Sequence, residues 1–144
     1  MKHFLIVIAI LCSVVVSAQE WSENYTQALE KAADENKPLL IVFSGSDWCG
    51  TCIKLDTQIW QSKEFIKYAQ QELVLYRADF PRKKKNKLPE KVANSNAEIA
   101  DKFNPNGYFP FVLLLNKEEE ILGKTGYKNV SPSEYIRHLT KFVK

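Results

Sequence analysis

Leu39-Leu40-Ile41-Val42-Phe43-Ser44-Gly45-Ser46-Asp47-Trp48-Cys49-Gly50-Thr51-Cys52 joins an unbroken apolar run to a pair of cysteines across a short polar turn. Leu39 to Phe43 has strand length and no polar position that could face water, so it reads as a central strand covered on both faces. Ser44 to Asp47 turns the chain. From Gly50 to about Gln71 the pattern is helical, with a break near Ser62. Cys49 and Cys52 therefore fall at the start of a helix, straight after a buried strand.

That placement has chemical consequences. The first turn of a helix carries free N–H groups and the positive end of the peptide dipoles, and both stabilise an anion. A thiolate is the attacking species in thiol–disulfide exchange, so this position favours the reactive form of Cys49. The i, i+3 spacing lets the second sulfur reach the first. Cys49 is then the candidate nucleophile and Cys52 the candidate resolving cysteine, in a reaction that needs no cofactor and no metal. Other readings compete. A structural disulfide across so short a loop removes little chain entropy. A tetrahedral zinc site wants more ligands than two cysteines and His138, which lies far along the chain. A soft two-thiolate site suits Cu(I), which makes a copper carrier the alternative from a different class.

Outward from this stretch, Asn24 to about Asn36 forms a helix capped by Asn24 and ended by Lys37-Pro38. Leu73 to Phe80 is a second strand. Ser95 with Glu98 reads as a capping box for a short helix through Phe103. Asn104-Pro105-Asn106-Gly107 is a turn. Phe111 to Leu115 and Glu120 to Thr125 form an antiparallel hairpin. Ser131-Pro132-Ser133-Glu134 opens a last helix with a cap, a first-position proline and a reciprocal glutamate. The order of elements gives an α/β fold: a βαβ half and a ββα half, joined in a mixed four-stranded core sheet flanked by helices, with an extra helix at the N-terminus. Trp60 and Tyr127 read as packing residues.

The chain has 144 residues, a net charge of +3 and 45% hydrophobic content, enough for one folded domain and too apolar for disorder. Lys2 and His3 precede the apolar run Phe4 to Val16, and Val16-Ser17-Ala18 places small residues where a signal peptidase reads. Residues 1–18 are expected to be a cleaved signal peptide and residues 19–144 the folded domain. Leu11 before Cys12 argues against lipid attachment at that cysteine. Export places Cys49 and Cys52 where disulfides persist. Arg82-Lys83-Lys84-Lys85-Asn86-Lys87 carries five cations in six residues. An anionic surface could bind it, but a solvated loop is the plainer reading, and export argues against nucleic acid.

The sequence from Lys37-Pro38 to Cys52, the Asp79-Phe80-Pro81-Arg82 stretch and the Phe109-Pro110 step together resemble the thioredoxin-like superfamily, in particular its exported bacterial branch. The resemblance spans essentially all of residues 19–144. It implies the thioredoxin fold, a redox disulfide between Cys49 and Cys52, and no cofactor. It also assigns Trp48 to the aromatic that shapes the substrate groove, Pro110 to the cis-proline facing the cysteines, and Phe109 to the residue that offers its backbone to a substrate strand. The implied activity is thiol–disulfide exchange on disulfide-containing exported proteins in the periplasm, with reduction or isomerisation favoured. The implied donor of electrons is a membrane-embedded thiol transporter, and the protein is expected to be a soluble monomer. The competing class is a non-catalytic thioredoxin-fold binding module or a Cu(I) carrier. Several positions depart from the family pattern. Thioredoxins keep a buried Asp behind the active site, where this chain has Val42 or Phe43. Thr51 replaces the usual Pro and adds no cation. Phe109 is bulkier than the usual β-branched residue. Asp47 is expected to cap the helix or to raise the thiol pKa by repulsion.

Overall fold

The computed structural model describes residues 19–144. The expected signal peptide, residues 1–18, lies outside the described residues. The elements are β1 (Trp21–Ser22), α1 (Tyr25–Glu35), β2 (Leu39–Ser44), α2 (Gly50–Leu55), a π-helical turn (Asp56–Trp60), α3 (Lys63–Glu72), β3 (Val74–Asp79), a 3-10 turn (Lys84–Asn86), α4 (Glu90–Phe103), β4 (Phe111–Leu115), β5 (Ile121–Thr125) and α5 (Pro132–Thr140).

One sheet runs in the order β1-β3-β2-β4-β5. β2 lies parallel to β3 and antiparallel to β4, and β4 and β5 form the expected hairpin. The four-stranded thioredoxin-type core is therefore present, but the sheet has a fifth member. β1 adds a two-residue edge parallel to β3, with Trp21 opposite Leu75. Trp21 is anchored by side-chain contacts rather than by strand length: its ring meets Trp60 edge-on at 6.3 Å, and the Arg77 guanidinium lies over it.

Every residue of β2 is buried, and successive side chains serve opposite faces. Leu40 and Val42 join a cluster with Leu55, Trp60, Phe65 and Leu139 from the α2, α3 and α5 side. Leu39, Ile41 and Phe43 join Ala28, Ala32, Ile99 and Phe103 from α1 and α4. A strand walled on both sides explains why its sequence shows no alternation. Trp60 is at the centre of the first cluster, packed against Phe65 and Tyr135, and Tyr127 is half-buried at its margin.

Local capping chemistry sets several element ends. Asn24 accepts the Gln27 N–H, and Ser62 accepts the Phe65 N–H at the break between the π turn and α3. Ser131 and Glu134 form the full reciprocal box at α5. The expected start of α4 is corrected. The helix begins at Glu90, after Pro89, and Ser95 lies well inside it. Its inward positions include Val92, Asn96, Ile99 and Phe103, spaced as one helical face, but the polar Asn96 interrupts the apolar pattern. Asn96 is buried because its amide accepts from the Tyr76 hydroxyl and donates to the Asp79 carbonyl at 3.0 Å.

Asn96→Ala removes the acceptor of the buried Tyr76 hydroxyl, leaving it only Ser95, and takes the side-chain donor from the Asp79 carbonyl. The expected loss is about 2 kcal/mol of unfolding free energy, read as a lower urea midpoint at unchanged slope with the disulfide intact.

Candidate active site

The site is built on the turn between β2 and α2. Cys49 N–H donates to the Gly45 carbonyl at 2.9 Å, and Trp48 N–H reaches the same oxygen at 3.2 Å. This folds the turn back on itself and leaves Cys49 as the N-cap of α2, in extended backbone geometry. Its Sγ accepts the Cys52 N–H at 3.2 Å. Cys49 and Cys52 are joined as a disulfide with their Cα atoms 5.2 Å apart. Both are largely covered, Cys49 at 6% and Cys52 at 3% relative exposure. The helix that supplies the dipoles is longer than α2 alone, because the π turn continues it without a break to Trp60. Gly50 faces open space, with no atom within 4 Å of where a Cβ would stand, and Thr51 is exposed with its hydroxyl 3.7 Å from Cys49 Sγ.

Trp48 is fixed on four sides. Its Nε1 donates to the Phe80 carbonyl at 2.7 Å, and its ring meets Phe109 edge-on at 5.3 Å. The Arg82 guanidinium stacks 3.8 Å from the ring centroid. Gly45 lies under the indole, where an added Cβ would stand 2.3 Å from the ring. Only glycine admits the indole there. Phe80 also meets Phe109, so Trp48, Phe80 and Phe109 form one aromatic cluster. The Phe109–Pro110 peptide is cis. Pro110 directly precedes Phe111, which pairs with Phe43 at the end of β2 from which the cysteine turn departs. The sheet register thus brings Trp48, Cys49, Cys52, Phe109 and Pro110 to the same end of the fold.

Asp47 does not cap α2; Cys49 fills that place. The Asp47 carboxylate instead accepts Arg82 N–H at 2.9 Å, Lys83 N–H at 3.0 Å and the Asn86 amide at 2.9 Å. Its pKa is lowered, chiefly by the Arg82 N–H, with Asn86 and Lys83 adding to the effect. Of the two residues that could stand behind the cysteines, Val42 is the one whose cluster includes Leu55 of α2, while Phe43 belongs to the opposite face. An apolar valine therefore occupies the side where a buried acid would act on Cys52. Asp56, one turn beyond Cys52, is held in an ion pair with Arg77 and accepts from Gln61. His138 lies against Thr125, Tyr135 and Phe142, and the described residues contain no cluster of three or more metal-ligating side chains.

Two features escaped the sequence reading: the glycine seat of Trp48 and the stacking of Arg82 upon it. Gly45 two residues before Asp47 hinted at a tight turn. Nothing local in the sequence pairs Arg82 with Trp48.

A parallel-then-antiparallel sheet with a disulfide at the N-terminus of the helix after its central strand defines the class of thioredoxin-like thiol–disulfide oxidoreductases. The profile of the thioredoxin-like family matches residues 20–117, and the chain belongs to that family. Among curated proteins it is 34% identical over 125 residues to the disulfide bond reductase DsbH of Chlamydia pneumoniae, covering 87% of this chain and 73% of that protein. It is 35% identical over 101 residues to the thioredoxin-related protein DsbJ of the same organism, covering 70% of this chain but only 28% of the larger relative. Among solved structures, a DsbH oxidoreductase superposes with a TM-score of 0.82 at 28% identity, covering 97% of this chain and 94% of that one.

The contacts of Asp47 carry a pH dependence of known sign. Because its folded pKa lies below the ordinary value of 3.8, the tether is complete above that value and is lost as pH falls through the lower folded one. Amide hydrogen exchange at Arg82 and Lys83 should accelerate below about pH 4 once intrinsic rates are corrected, and Asp47→Ala should accelerate it on the order of tenfold at neutral pH.

Proposed function

We propose that this chain is an exported thiol–disulfide oxidoreductase that works chiefly as a reductase or isomerase of disulfides in other exported proteins. The observation that carries the reading is the Cys52 N–H aimed at Cys49 Sγ at the amino end of a helix. The same N–H and the dipoles behind it stabilise negative charge on Cys49 once the disulfide is reduced.

In the reductive direction, the Cys49 thiolate attacks one sulfur of a substrate disulfide. The bond formed is Cys49–S–S–substrate, and the bond broken releases the first substrate sulfur as a thiolate that takes a proton from water. Cys52, deprotonated, then attacks Cys49 Sγ. The Cys49–Cys52 disulfide forms and the second substrate thiol leaves, so the substrate gains two electrons and the protein loses two. Isomerisation uses the first step alone, with a substrate thiol displacing Cys49. The edge-on contact of Trp48 with Phe109 supports the reading that these two aromatics shape a substrate groove, and the cis Phe109–Pro110 step supports the reading that Phe109 offers its backbone to an extended substrate. With Val42 behind the cysteines, water or a neighbouring carboxylate has to take the proton of Cys52.

Turnover requires a donor of two electrons, and a membrane-embedded thiol transporter fits a protein working outside the cytoplasm. The disulfide bond reductase to which this chain is 34% identical over 125 residues supports the reductive direction. So does the absence of any cation between the two cysteines. Cleavage after Ala18 and a periplasmic location belong to the same proposal. Among the described residues no helix is long and apolar enough to cross a membrane.

Insulin disulfide reduction with dithiothreitol tests the reading. Cys49→Ser should abolish activity, and Cys52→Ser should accumulate a mixed disulfide with substrate on a non-reducing gel. Full activity in Cys49→Ser, or tight stoichiometric Cu(I) binding with no turnover in the unaltered protein, would overturn it. The equilibrium potential against glutathione should lie nearer the thioredoxin value of about −270 mV than the strong-oxidant value of about −120 mV.

A further inference from the structure

We infer that the Arg82–Lys87 loop is a docking surface that selects partner proteins with an acidic segment near the disulfide to be reduced. This inference rests on the oxidoreductase reading and adds a substrate class to it.

The loop's position comes from the sheet. β3 ends at Asp79 opposite Ser44, and Phe80 N–H donates to the Ser44 carbonyl at 2.8 Å. The chain leaving β3 therefore emerges beside the chain leaving β2, which turns at once into Trp48 and Cys49. The loop's shape is set by one carboxylate. Asp47 takes the backbone N–H groups of Arg82 and Lys83 and the Asn86 side chain, and the Lys84–Asn86 turn closes on itself through Asn86 N–H to the Lys83 carbonyl. With the backbone tied inward, all five cationic side chains are exposed.

These cations have no close ion-pair partner among the described residues, although the Asp47 carboxylate feels the charge of Lys83. Lys31, Lys37 and Lys102 elsewhere on the molecule are paired with Glu20, Glu35 and Glu119. Among the described residues, none of Arg82, Lys83, Lys84, Lys85 or Lys87 makes an ion pair within 4 Å, and Arg82 spends its face on the Trp48 ring. A groove of about 620 Å³ runs along the loop; Arg82, Lys83, Lys84 and Lys87 outnumber the two carboxylates in its lining, Asp79 and Glu90, and Phe80 and Leu88 give it apolar edges. Unpaired like charges held together beside an apolar strip favour an extended acidic segment, which would neutralise the lysines while its own apolar side chains cover the strip. Arg82 makes the surface continuous with the substrate groove, because its guanidinium rests on the residue next to Cys49. A lipid surface fits less well: a flat layer of anionic headgroups would meet the exposed lysines but leave the groove edged by Phe80 and Leu88 unfilled, whereas an extended segment can enter it.

The test uses the oxidised protein of residues 19–144 and two labelled peptides without cysteine, one rich in glutamate and one with glutamine in the same places. Fluorescence polarisation should show at least about a tenfold preference for the glutamate peptide at low salt, shrinking as the screening length falls from about 30 Å at 0.01 M to about 8 Å at 0.15 M. In Lys83→Gln/Lys84→Gln/Lys85→Gln/Lys87→Gln, whose four sites are exposed, the preference should fall to near unity with unchanged far-ultraviolet circular dichroism. Equal affinity for the two peptides overturns the inference. So does binding to phosphatidylglycerol vesicles without a peptide preference, which would make the loop a membrane surface. Reduction of a disulfide flanked by either peptide separates this inference from the reading beneath it. Turnover with no glutamate preference removes the docking surface alone, whereas a retained peptide preference with no turnover supports the surface and removes the oxidoreductase.

Discussion

The chemistry of this protein depends on one contact, the Cys52 N–H held against Cys49 Sγ at the amino end of α2. It exists only because β2 delivers the chain to that point in a fixed direction and the Gly45 carbonyl then ties the turn shut by accepting from both Trp48 and Cys49. The rest of the fold can be understood as support for that delivery. β2 is buried on both faces and flanked by β3 and β4, so its end has little freedom to move. Burial of each large side chain on such a strand is worth about 1.5–3 kcal/mol, which makes the strand's position among the best-determined features of the domain.

Two long-range ties converge on the same turn. Trp48 reaches forward to Phe80 and Phe109, and Asp47 reaches forward to Arg82, Lys83 and Asn86. Adjacent residues thus fasten the cysteine turn to the loop after β3 and to the segment before β4. The docking loop proposed above and the cysteine turn thereby share a common frame. Ser46, one residue earlier, adds a third tie by donating its backbone N–H and hydroxyl to Asp79.

What the sequence made legible follows from the range over which each signal acts. The strand at Leu39 to Phe43 could be read because both of its faces are apolar, so no neighbour had to be known. The start of α5 could be read because Ser131 and Glu134 satisfy each other locally. The cysteine pair could be read because its spacing and the preceding strand place it on a helix end. The start of α4 could not, because Asn96 is a core residue only by virtue of Tyr76 and Asp79, which lie on a strand. Asp47 misled for the same reason: a carboxylate three residues before a helix looks like a local cap, and its true partners lie 35 to 39 positions further on. β1 is too short to show any period, and its place depends on Trp21 finding Trp60 and Arg77.

Gly50 and Thr51 point away from the packed interior, and nothing crowds the place where a side chain on Gly50 would grow. The dipeptide bracketed by the sulfurs is thus decoupled from the architecture that holds them. Natural variation or laboratory engineering can exchange those two letters to retune electron affinity while the scaffold carries on unaltered, so this fold separates the dial from the machine.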